Sequence, residues 1–170
     1  MSDGCSAAGS APDAVLPDDV ETALVGELTT NVLSDIAPEE LAMFEAHREG
    51  WLQARGSVGE GRDEMLGFGA EVLMALTPYV VAAATAALRL LGSLLLDVAV
   101  AEAKPHVAGW LRRVLHQGEG DGEPVPPLPA DALIRVHDAV LGVCLDLGLE
   151  ASDATLVADA VVGRVHLPGT

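Results

Sequence analysis

Aromatic side chains are scarce in this 170-residue chain: two Trp, two Phe and one Tyr, 3% of the total. Ala, Leu and Val must therefore build most of the core, and their dominance favours helix over sheet. Lysine is nearly absent. Lys104 stands against eight arginines, and Asn31 is the one asparagine. We read that skew as the codon bias of a high-GC bacterial genome, with no bearing on function. Only two cysteines occur, Cys5 in a Gly/Ser/Ala-rich stretch and Cys144 in an apolar helical pattern, so no disulfide framework is indicated. Positive charge is short too. Nine Lys and Arg face 26 Asp and Glu, a net of −17, which argues against nucleic acid as a partner. The opening residues, MSDGCSAAGSAPDA, have no basic region and no apolar run ahead of Cys5. A secretory or lipoprotein signal needs both, so a cytoplasmic chain is expected.

The chemistry-bearing motifs are missing as well. His47, His106, His116, His137 and His166 form no His-x-x-x-His pair, and no Glu-x-x-His occurs. Such spacings put two ligands on one helix face, so no metal ligand is assigned. Residues 56–62, GSVGEGR, are glycine-rich but lack the Gly-Lys-Ser/Thr of a phosphate loop. Gly67 and Gly69 fail the dinucleotide pattern because position 72 is Val. No Gly-x-Ser-x-Gly elbow is found. Cys144 lies among Val140, Val143 and Leu147, where a thiol stays protonated and inert. No catalytic residue and no cofactor is expected, and the balance leans away from an enzyme.

What is present is apolar surface, half of all residues, and an uneven charge distribution. Residues 1–64 carry 14 acids and 3 bases, residues 65–116 carry 3 acids and 4 bases, and residues 117–170 carry 9 acids and 2 bases. Acidic flanks thus enclose a near-neutral centre.

Residues 1–17 read as a flexible tail. Asp18 and Asp19 open a helix whose apolar face is Val20, Leu24, Leu28, Val32 and Ile36. Pro38 starts a second helix, with Leu41, Phe44, Trp51 and Leu52 apolar and Gly56 at its end. The central segment, 63–104, is interrupted at Pro78, which kinks or restarts its helix, and at Pro105. A short helix follows over 106–116. Residues 117–129, QGEGDGEPVPPLP, are a linker. Asp131 then starts a helix with the stripe Leu133, Val136, Val140, Cys144 and Leu147, ended by Gly148. Ser152 or Asp153 caps a last helix with Leu156, Val157, Ala160 and Val161 inward. The expected divisions are a tail (1–17), a helical core (18–116), a linker (117–129) and a C-terminal helical hairpin (130–166).

Three readings compete for the central segment. Residues 72–88 give 17 uncharged residues, the lower limit of a membrane span. Arg89 lies just beyond, and Arg89, Lys104, Arg112 and Arg113 all lie on its C-terminal side, an orientation that would send the acidic N-terminal part across the membrane. A core helix of a soluble bundle is the reading adopted. Thr85, Arg89, Ser93 and Asp97 recur every four residues and make one narrow polar stripe on an otherwise apolar cylinder. The third reading is an interaction or membrane-surface helix. There the stripe, the small residues around it and Trp110 with Arg112 and Arg113 would face a partner or lipid.

The sequence thus points to an all-α fold. It would be an irregular bundle of about six helices around an apolar kinked central helix, with a disordered N-terminal tail and a C-terminal hairpin. The function expected is that of a non-enzymatic bacterial interaction protein (adaptor, accessory or regulatory). It would meet a protein partner or a second copy through helix–helix contacts. The alternative is membrane association through residues 65–116. The candidate surface is Thr85, Arg89, Ser93, Asp97, Trp110, Arg112 and Arg113.

Overall fold

The computed structural model describes residues 16–54, 76–98, 104–115 and 128–166. Residues 1–15 of the expected tail, the glycine-rich stretch 56–62, the first part of the central segment and nearly all of the linker lie outside these. The described residues are all-α, with seven helices: α1 (Asp18–Ile36), α2 (Pro38–Ala46), α3 (Arg48–Gln53), α4 (Thr77–Val98), α5 (Lys104–Leu115), α6 (Ala130–Asp146) and α7 (Ala151–His166). The seventh arises because the expected second helix breaks at His47. Its amide bonds the carbonyls of Met43 and Phe44, and a new turn begins. Pro78 stands in the first turn of α4, so it starts the helix rather than bending it.

Four long helices form the body. α1 packs on α4, α4 on α6, α6 on α7, and α7 back on α1. α5 lies against α1, α4 and α7, while α2 and α3 pack on α1. α1 and α4 are enclosed by most of the other helices, which explains how completely they are buried. Leu24, Leu28 and Val32 of the expected α1 face are fully buried. Val25, Leu33 and Thr29 are buried too, because neighbours enclose α1 on more than one side. α4 contributes Val80, Val81, Ala83, Ala84, Ala87, Leu88 and Leu91, the core-helix role read from its composition. From the hairpin, Val136, Val140 and Cys144 of α6 and Ala154, Val157, Ala158, Val161 and Val165 of α7 join the same core.

One expected inward residue is corrected. Leu156 is 46% exposed. Adjacent helix positions differ by about 100°, so Val157 and Leu156 cannot both lie at the centre of the buried face. The α7 stripe is set by Ala154, Val157, Val161 and Val165. α7 also begins at Ala151, slightly ahead of the expected caps.

Charged side chains fix how the helices meet. Glu40 of α2 caps α4. Its carboxylate accepts from the backbone N–H of Leu76 (2.8 Å) and Thr77 (2.8 Å) and from Thr77 Oγ1 (2.6 Å). The first intrahelical bond of α4 comes from Val80 to Leu76. Four amides precede it. Pro78 has no N–H to satisfy, and Glu40 takes two of the other three. Glu21, near the start of α1, meets Arg89 of α4 at 2.9–3.0 Å. Together these contacts make α1 and α4 antiparallel. Asp35 of α1 pairs through both oxygens with Arg164 of α7. The C-terminal ends of α1 and α7 therefore lie together. α6 returns alongside α7 through a turn at Gly148, whose φ of 87° suits glycine. The amides of Gly148 and Leu149 bond the carbonyls of Leu145 and Cys144, the double closure of a helix C-terminus. Arg48 lies across Gly26, bonds Glu45 at 3.1 Å, and sits 5.8 Å from the Phe44 ring centre, which binds α3 to α1 and α2.

Candidate functional site

The polar stripe of α4 is used within the fold. Thr85 is buried, and its hydroxyl donates to the carbonyl of Val81 one turn back (2.8 Å). Ser93 donates to the carbonyl of Leu90 (2.8 Å). Arg89 holds Glu21, with the Arg89 side chain 63% exposed and that of Glu21 6% exposed. Asp97 falls on α4, with its side chain outside the described set. At Arg89 the stripe therefore meets α1.

Trp110 is half-buried against the core from α5, whereas Arg112 and Arg113 are exposed. Arg113 Nε donates to the carbonyl of Gly109 (3.3 Å). Both arginines occupy the last turn of α5, where positive charge meets the negative end of the helix dipole. Of the candidate residues, Arg89 thus serves the α1–α4 contact, Thr85 and Ser93 turn back on α4, and Trp110, Arg112 and Arg113 lie on α5.

Cys144 is buried, and burial raises its thiol to about 11. Among the described residues, no group of three His, Cys, Asp or Glu side chains is placed to hold a metal ion. His137 links the hairpin, its Nε2 lying 3.3 Å from Asp159 Oδ1 and its Nδ1 3.5 Å from Asp138 Oδ1. One helix among the described residues, Thr77–Leu95, is long and apolar enough to cross a membrane, and 56% of its apolar window is buried inside the fold.

The surface that the sequence reading missed is on the hairpin. Among the described residues, the large hydrophobics left most exposed are Ile134 (60%), Leu145 (45%) and Leu156 (46%). A signal for the first two existed: both lie out of phase with the inward stripe of α6. The ion pairs had none, because Glu21 and Arg89 are 68 residues apart and Asp35 and Arg164 are 129 apart. No family model, curated protein or solved structure matches the chain.

Proposed function

We propose that this is a non-enzymatic helical interaction protein, an adaptor, accessory or regulatory component acting through helix–helix contacts. The observation that carries it is the exposure of Ile134, Leu145 and Leu156 on the hairpin. The apolar surface of α4, in contrast, is largely spent on the core. Single exposed apolar residues are ordinary, but three on one two-helix unit favour a contact surface. The test is co-purification of the tagged full chain from its native cell. Ile134→Asp and Leu145→Asp should release the bound protein and leave the far-UV circular dichroism unchanged. A monomer with no bound protein in either form overturns the reading.

A second reading keeps a specific support, the length and apolarity of α4. In it, residues 65–116 associate with a membrane, with Trp110, Arg112 and Arg113 at the lipid interface. Pelleting with membranes that resists an alkaline carbonate wash would favour insertion and displace the first reading. A chain that stays in the soluble pool removes the second. Cytoplasmic residence goes with the first reading.

A further inference from the structure

Ile134, Leu141 and Leu145 fall at i, i+7 and i+11 on α6 and so share one column within an arc of roughly 40°. Leu141 is half-buried and the other two stand out as a ridge. The adjoining outer column of α7 is Ser152, Thr155, Asp159 and Gly163, all exposed and mostly small. The His137–Asp159 contact sets the antiparallel register, placing Ile134 level with Gly163 and Leu141 level with Thr155. Leu156 borders this low column on its far side. An apolar ridge therefore borders a shallow trough on the outside of the hairpin, with Leu156 on the trough's far side.

Gly163 sits inside a helix, where glycine is unfavourable relative to alanine. A Cβ there would meet nothing within 4 Å, so no neighbour in the fold requires the space. A helix laid along the trough would use it. Charge selects which helix. Asp131, Asp138, Asp146 and Asp159 are exposed along this face, against Arg135. A second copy docked about a twofold axis would set that acidic face against itself. The chain as a whole already carries −17.

Resting on the helix-contact reading above, we infer that the outer face of the α6–α7 hairpin docks a basic amphipathic helix of a partner protein. Leucine-type side chains would pack against Ile134, Leu145 and Leu156, and Lys or Arg would meet Asp138 beside the ridge and Asp159 in the trough.

The test uses two labelled synthetic amphipathic peptides with one leucine seam, the first flanked by Lys and Arg, the second by Glu. Anisotropy is read against the full chain. The basic peptide should bind and the acidic one should not. Ile134→Asp, Leu156→Asp and the uncharged Gly163→Leu should each weaken binding at least tenfold. Ala46→Asp, which adds the same charge on exposed α2, should leave it within about threefold. Thermal melts check that each variant folds. Equal binding by wild type and Gly163→Leu would mean diffuse charge attraction and overturn the proposal, as would preference for the acidic peptide. A dimer by light scattering that Ile134→Asp splits would make the occupant a second copy. That sinks this inference and leaves the helix-contact reading standing. A monomer that binds neither peptide and co-purifies with nothing sinks both.

Discussion

Replacing Glu40 with Ala should loosen the start of α4, because one carboxylate there serves three donors on another helix. Two of those donors are backbone amides ahead of the first intrahelical bond, the kind of group that an N-cap normally satisfies. Here the cap comes from α2, 36 residues away in sequence. Loss of an ordinary cap costs about 0.5–2 kcal/mol, and a hydrogen bond to a charged group is worth about 1.5–3 kcal/mol. The site is only partly buried, so water re-solvates part of what is lost. We therefore expect about 2 kcal/mol, equivalent to roughly 4–8 °C in Tm for a chain of this size. Glu40→Gln keeps an acceptor without the charge and should cost about half as much. Exposed Glu39 shares the same first turn of α2, so Glu39→Ala isolates the dipole effect of an acid there, about 0.3–1 kcal/mol. Urea unfolding followed by circular dichroism reads all three. A double-mutant cycle with Thr77→Val should show coupling of at least about 0.5 kcal/mol. Equal loss from Glu39→Ala and Glu40→Ala, or no coupling to Thr77, would refute the cap.

Three further outcomes are expected. Arg89→Met should destabilise by about 1–2 kcal/mol in urea unfolding, more than Glu21→Gln, because it leaves a buried carboxylate without its guanidinium. In a Cys5→Ser background, Cys144 should resist a thiol reagent at pH 8 in the native state and react once unfolded, since burial holds its pKa near 11. The unfolded thiol ionises near its ordinary value of 9.0, below the folded one, so its contribution to stability is complete below that pH and fades as pH rises toward about 11. Gly142→Ala should raise stability by about 0.5–1 kcal/mol, measured by thermal melt, because its Cβ would enter open space on a helix.

Much of the fold was legible locally. Asp18 and Pro38 begin helices where expected, and Gly148 ends α6. The four-residue repeat of Leu24, Leu28 and Val32 named buried positions. These succeeded because dipole, proline geometry, positive φ and helical periodicity act within a few residues. Leu156 failed for a reason of the same kind. Two adjacent apolar residues leave the phase of a helix undecided until its neighbours are in place.

The sequence by itself determined that this chain is helical, acidic at both flanks and apolar in the middle, since propensity and charge are properties of residues in order. Only the tertiary structure decided what the polar stripe of α4 does. Arg89 finds Glu21 across 68 residues, and Thr85 turns back on its own helix. The same holds for the Glu40 cap and for the outward face of the hairpin. A long-range contact depends on which helix faces become neighbours, and helical periodicity alone does not specify that.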